Sequence, residues 1–346
     1  MKSLLCCTGG GGVHIILRMT KYLPLICAAG LAMALAGCGE NVGWVIKPIP
    51  LEEKLVETVV AQDEGLFIAD KVLVLDVDGL LVNERQQSLF GLGDNPVSLF
   101  VEKLDKAKAD ANVKAVVLRI NSPGGGVTAS DIMHSRLREF RKQKKVPVIA
   151  VLEDVGASGA YYVACGADRI IAHPTSVVGS IGVIVQTLSF SGTMNKLGID
   201  AKAVTSGPRK DMASPLKPLD KEDLAIIQKI VDEFYKRFLG VVADGRPDLK
   251  ADQIKALADG RVYTGEQAKA SGLVDEIGYL DDAIKLAKSK AAAKRVKVVM
   301  YHRPWGAKTS AYASGMPLQF NLLNVTVPDL SALARPQFLY LWTGRR

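Results

Sequence analysis

Disulfide chemistry is the first thing this sequence lacks. The 346-residue chain has five cysteines. Cys6, Cys7 and Cys27 precede a candidate processing point at Cys38, which leaves Cys165 alone beyond it. One remaining thiol forms no intrachain disulfide, and no Cys/His spacing suits zinc. Nucleotide cradles are missing too: there is no Gly-x-Gly-x-x-Gly and no Gly-Lys-Ser/Thr. Aromatic residues make up 6% of the chain and no basic stripe is interleaved with them, so nucleic-acid binding fits poorly despite a net charge of +8. No internal repeat and no low-complexity segment is present. The apolar run Leu23–Gly37 is 15 residues long, too short to span a bilayer comfortably.

That short run has a use of its own. Lys21 precedes it, as in the basic head of an export signal. Leu35-Ala36-Gly37-Cys38 resembles a bacterial lipobox, in which the cysteine is lipidated and becomes the mature N-terminus. An ordinary signal peptide or an uncleaved anchor is the alternative. Met19 fits a start better than Met1, because Gly9 to Gly12 matches no targeting pattern. We expect residues 1–37 to be a signal peptide and Cys38 to hold membrane lipid. The chain then faces the periplasm or the exterior from a bacterial envelope. Gly39 is not the aspartate that retains lipoproteins at the inner membrane of some bacteria. Residues 1–37 carry three basic groups (Lys2, Arg18, Lys21) and no acid, so the remainder keeps +5, a mild excess suited to anionic lipid.

Two glycine-rich turns follow apolar runs. Lys114–Asn121 breaks into Ser122-Pro123-Gly124-Gly125-Gly126. Bare backbone N–H groups at such a turn bind negative charge, either a phosphate or the oxyanion of an acyl-transfer intermediate. With no phosphate motif beside it, the oxyanion fits better. The run Val146–Leu152 leads to Gly156-Ala157-Ser158-Gly159-Ala160-Tyr161-Tyr162. Small neighbours let a substrate backbone approach the Ser158 hydroxyl, and strand–turn–Ser–helix units present nucleophiles in several hydrolase folds. A tight turn with a packing serine is the bland alternative.

A nucleophilic serine needs a base. Of four histidines, His14 lies ahead of the export signal, His134 falls among Arg136, Arg138 and Arg141, His173 precedes Pro174, and His302 sits in the C-terminal tail. None stands in a context that marks a base. A lysine serves where burial strips its hydration. Lys210 lies in Ser206-Gly-Pro-Arg-Lys-Asp-Met212, a loop leaving the apolar strand expected at Ala201–Thr205, and locally reads as a surface lysine.

The ordered motifs change that reading. Arg119–Gly126, Gly156–Tyr162, Gly179-Ser-Ile-Gly-Val183, Ser206–Met212, Gly260-Arg-Val-Tyr-Thr-Gly265 and Gly272–Gly278 occur in the order of the signal peptide peptidase A (protease IV) family. The resemblance spans about residues 70–290. It implies Ser158 as nucleophile, Lys210 as general base 52 residues on, and Ser180 holding the lysine amine. It also implies an oxyanion hole from the N–H groups of Gly125 and Gly159, with Gly124 in competition. It implies a Clp protease/crotonase-like fold, no metal or organic cofactor, cleaved signal peptides as substrates, and a homo-oligomeric ring. A Clp protease fits less well because its histidine would fall near Ile181. Two rival classes are a crotonase-like acyl-CoA enzyme, which needs neither Ser158 nor Lys210, and a non-catalytic envelope scaffold.

The pattern predicts an α/β fold. Residues 38–70 read as a tether and leading helix, 71–295 as a peptidase domain, and 296–346 as a C-terminal arm. Strands are predicted at 71–77, 114–121, 146–152, 169–172 and 183–185, with helices at 97–109, 127–143 and 219–243. This alternation implies right-handed β-α-β units with a largely parallel sheet. Val296–Val299 and Phe338–Leu341 are expected as strands or arms that reach a neighbouring subunit.

Overall fold

The computed structural model describes residues 54–85, 94–304, 310–311 and 338–344, and the backbone of 87–88 and 91–92. Expectations for residues 1–53, including the export signal and Cys38, lie outside them.

Fourteen strands are described: β1 (Val56–Gln62), β2 (Lys71–Asp78), β3 (Gln87–Ser88), β4 (Gly91–Leu92), β5 (Val113–Ser122), β6 (Gly124–Gly126), β7 (Val148–Ala157), β8 (Arg169–Ala172), β9 (Val177–Gly179), β10 (Ile184–Val185), β11 (Val262–Thr264), β12 (Glu276–Ile277), β13 (Lys297–His302) and β14 (Phe338–Leu341). The main sheet runs β1-β13-β2-β5-β7-β8-β12, with β9 also on β7 and β11 on β9. Every pairing from β13 to β12 is parallel; β1 and β11 add antiparallel edges. The expected α/β fold with a largely parallel sheet is therefore present.

Its centre follows from composition. β2, β5 and β7 read as near-continuous Val/Leu/Ile runs, as strands covered on both faces must. Alternate residues feed two cores. Leu73, Leu75, Val116, Leu118 and Leu152 meet Phe100, Leu104 and Leu137 of the helices Pro96–Ala109 and Val127–Lys144. Val72, Val74, Val117, Ile149 and Val151 meet Leu280, Ala283 and Ala287 of the helix Leu280–Lys290. Each such burial contributes about 1.5–3 kcal/mol, so a one-residue register slip would misplace every one of them.

Two expectations change. Residues 56–62 form an edge strand, not part of a leading helix. Its partner is distant: Thr58 Oγ1 lies 2.7 Å from His302 Nε2, 244 residues along the chain. Ala201–Thr205 forms no strand and is exposed, since no sheet edge reaches it. β13 and β14 form as strands, and within this chain β13 pairs with β1 and β2 and β14 with β6 and β10.

His134 lies on the covered face of its helix, edge-on to Tyr162 with ring centroids 5.2 Å apart. Burial, helped by Arg138, pushes its pKa down to about 4. The unfolded chain binds this proton from about pH 6.5 downward and the folded chain does not. Stability is therefore expected to fall by roughly 2–3 kcal/mol as pH drops from 6.5 to 4. His134→Phe should flatten that slope in urea unfolding followed across this window; an unchanged slope would assign it to other groups.

Candidate active site

β7 ends at Ala157, and the helix Gly159–Ala164 starts two residues later. Ser158 turns the corner at φ 54°, ψ −118°. A non-glycine residue there costs on the order of 1–3 kcal/mol, a strain typical of side chains held for a function. The turn is pinned from outside. The Ser158 N–H donates to the Gly179 carbonyl (2.7 Å), and the next N–H, of Ser180, donates to the Arg261 carbonyl (2.8 Å). Ser180 also has positive φ, 48°. Arg261 belongs to the stretch 260–265 named in the sequence, and its role is now visible: β11 clamps β9, and β9 holds the serine turn.

The glycine loop lies on the other side. Ser122 Oγ accepts from the Gly124 N–H (3.1 Å) and donates to the Gly79 carbonyl (2.6 Å). The Gly124 amide is thus held by a side chain of its own loop. Gly124 has φ +96°, and a Cβ on it would lie 2.6 Å from the Gly159 nitrogen. A Cβ on Gly159 would lie 3.2 Å from the Gly125 nitrogen. The backbone of Gly124–Gly125 and that of Gly159 therefore lie close together beside Ser158, and the Gly159 N–H, opening its helix, has no intrahelical acceptor. Leu81, which the sequence reading missed, completes the wall: its N–H donates to the Gly124 carbonyl (2.9 Å), and its carbonyl accepts from the Gly126 N–H (2.8 Å). Only knowledge of the register beyond β2 would have pointed to it.

Lys210 is not brought into this cluster by hydrogen bonding. It is exposed on a turn, its N–H donating to the Gly207 carbonyl (3.2 Å). Among the described residues its amine bonds neither Ser158 nor Ser180. Its neighbours are anchored instead: Arg209 holds Asp220 and the buried Asp223, and Lys217 holds Asp211. Between Gln186 and Leu216 only Ala213 is buried, while Leu188, Phe190, Leu197, Ile199, Val204 and Leu216 are exposed.

Other ionisable groups are placed as follows. Arg119 is buried against Asp76 (2.9 Å), with Asp78 and Glu153 within 4.0 Å. Burial pushes the Glu153 carboxyl up to about 6, against the pull of Arg119. Burial also pushes the His173 imidazole down, so it is neutral at pH 7. Its Nε2 is buried without a hydrogen-bond partner among the described residues. Cys165 is buried and its thiol is pushed up to about 12, which makes it inert. Among the described residues no His/Cys/Asp/Glu group could hold a metal, and no helix is long and apolar enough to cross a membrane.

Chemically, the arrangement offers a strained serine beside two closely approaching glycine backbones whose N–H groups could serve acyl transfer. The sequence comparisons agree. The profile of peptidase family S49 matches residues 140–294. The putative signal peptide peptidase SppA of Enterococcus faecium is 34% identical over 259 residues, 75% of each chain. A putative protease of Methanocaldococcus jannaschii is 40% identical over 249 residues, 71% of this chain and 79% of the relative. Protease 4 of Salmonella typhi is 38% identical over 189 residues, 55% of this chain and 30% of that one. A solved membrane-bound stomatin-specific protease covers 63% of this chain and 85% of its own, with 16% identity and a TM-score of 0.42.

Proposed function

This chain belongs to peptidase family S49 and is a serine peptidase, and from that premise we propose that it is a membrane-tethered endopeptidase of the bacterial envelope that hydrolyses remnant signal peptides and other unfolded segments. The observation that carries this reading is the strained Ser158 turn beside the Gly125 and Gly159 amides. Ser158 Oγ attacks the peptide carbonyl and its proton passes to Lys210. The carbonyl oxygen takes up negative charge against the two amides, which exist in place before the reaction begins. The amine leaves, and water hydrolyses the acyl-enzyme with Lys210 again as base. Ser180, tied to the serine turn through Gly179, orients the lysine amine.

A lysine acts as a base only where water is kept from it. Lys210 and the apolar side chains of 186–216 are exposed in the single chain. A second copy packed on this segment would cover both, which supports a homo-oligomeric working form.

A fluorophosphonate tests the reaction class: mass spectrometry should find it on Ser158, and labelled enzyme should no longer cut a released signal peptide. Unlabelled Ser158 in an active preparation would refute the assignment. Tethering is tested at Cys38. Cys38→Ser should abolish palmitate incorporation and release the chain from membranes while leaving soluble peptide cleavage unchanged. Retention of the unlipidated variant would assign the anchor to another segment.

A further inference from the structure

The sheet β10-β14-β6 has no counterpart in the sequence reading. Its middle strand, β14, comes from the C-terminal part of the chain, and one of its edges, β6, is the glycine loop of the candidate site. On one edge Leu339 and Phe338 face Ile184 and Val185. On the other, Tyr340 faces Gly125 and Leu341 faces Gly124. An extended segment paired antiparallel on both sides is how a protease groove receives a peptide by strand addition.

The register fixes one carbonyl. The Trp342 N–H donates to the Pro123 carbonyl (2.9 Å). In an antiparallel ladder, hydrogen-bonded pairs recur every second residue. Tyr340 and Gly125 therefore exchange both of their bonds, and the Tyr340 carbonyl accepts from the Gly125 N–H. The same oxygen lies 3.0 Å from the point a Cβ on Gly159 would occupy, and 2.1 Å from that of Gly124. It thus sits between the glycine loop and the start of the Ser158 helix, against the backbone of both Gly124–Gly125 and Gly159.

The side chain is as well accommodated. Tyr340 is fully buried. Its ring stacks on Tyr162 (5.2 Å, 25°) and meets Phe238 at 4.7 Å. Its hydroxyl donates to the Phe234 carbonyl (2.7 Å). Phe338 meets Phe234 edge-on at 5.3 Å. A tail that packed by hydrophobicity alone would need neither this register nor a carbonyl against both glycine backbones.

We infer that Phe338–Trp342 is a built-in substrate mimic that occupies the peptide groove of its own chain, with Tyr340 in the pocket for the residue whose carbonyl is attacked. The inference rests on the acyl-transfer reading of Ser158. It gives the site a substrate class: extended segments with an aromatic residue, tyrosine above all, on the carbonyl side of the cut. It also makes the tail an inhibitor that incoming peptide must displace.

The test uses the full chain carrying Tyr340→Asp. A carboxylate in the aromatic pocket would face Asp131, whose Oδ1 accepts from the Tyr162 hydroxyl at 2.6 Å. Amide exchange at Gly125 and in Ile184–Val185 should speed up, while the Gly124 and Gly126 amides, held by Ser122 and Leu81, should change least. Fluorophosphonate labelling of Ser158 should rise by at least about tenfold, the gain expected if the open site is a minor population. Tyr340→Phe, which loses only the bond to Phe234, should stay close to wild type in both. A synthetic Gln-Phe-Leu-Tyr-Leu-Trp peptide should restore protection and slow labelling in Tyr340→Asp, and the same peptide with Asp for Tyr should not. This rescue also shows that the variant is folded. Unchanged exchange and labelling in Tyr340→Asp would overturn the inference. So would loss of wild-type protection on dilution, which would assign the strand to a second copy. Faster exchange with no label on Ser158 in either chain would uphold the mimic and refute the peptidase reading instead.

Discussion

Ser158→Ala is expected to lower kcat/KM by roughly 10⁴-fold or more, as loss of a covalent nucleophile does. The melting temperature should move by no more than a few degrees. Alanine keeps the Cβ and so inherits the same positive-φ strain without adding to it. Among the described residues the Ser158 hydroxyl has no hydrogen-bond partner whose loss would weaken the fold, and the backbone bond to Gly179 is untouched. The residual rate should come from the Gly125 and Gly159 amides and from binding alone. Retention of more than about a tenth of the wild-type kcat/KM, a barrier change of only about 1.4 kcal/mol, would remove Ser158 from the nucleophile role. A comparable loss accompanied by collapse of the melting transition would instead mean that the turn is structural.

The contrast between Ser158 and Lys210 marks how far the sequence reaches. β2, β5 and β7 were legible because strands buried on both faces must be apolar throughout, and that condition is local. The glycine loop and serine turn were legible for a similar reason: both need small residues at fixed offsets from a strand end. β1 was not, because its pattern of half-buried residues fits helix or strand, and the choice is made by His302 and its neighbours at the far end of the chain. The stretch Ala201–Thr205 has the composition of a strand but no edge to join. Phe338–Leu341 was legible as a strand but its place between β6 and β10 was not, because its partners on one side are three glycines with no side chains to suggest pairing. Lys210 is the instructive case. Local context makes it a surface lysine, the ordered motifs make it a base, and the single chain leaves it exposed. The two readings are reconciled if its surroundings are completed by assembly.

That reconciliation makes the second large effect testable. Lys210→Arg is expected to lower kcat/KM by roughly 10³-fold or more, because guanidinium keeps its proton at any workable pH while preserving charge and length. Lys202→Arg is the control. Lys202 is exposed and paired with Asp200 at 2.9 Å, and its replacement should leave the rate unchanged. If a second copy must cover Lys210, wild-type activity per subunit should also rise with protein concentration and plateau once the oligomer has formed. Lys210→Arg should assemble over the same range and stay inactive throughout. Assembly followed by light scattering therefore separates loss of the base from loss of the oligomer. A Lys210→Arg enzyme with a normal rate would place the base elsewhere. His173 would then be the group to replace: burial already holds its imidazole neutral, and its buried Nε2 has no hydrogen-bond partner among the described residues. Under that outcome His173→Gln, not Lys210→Arg, should carry the loss. The acid limb of kcat/KM would follow an imidazole titrating below its ordinary range, active when deprotonated and failing as pH falls through that value.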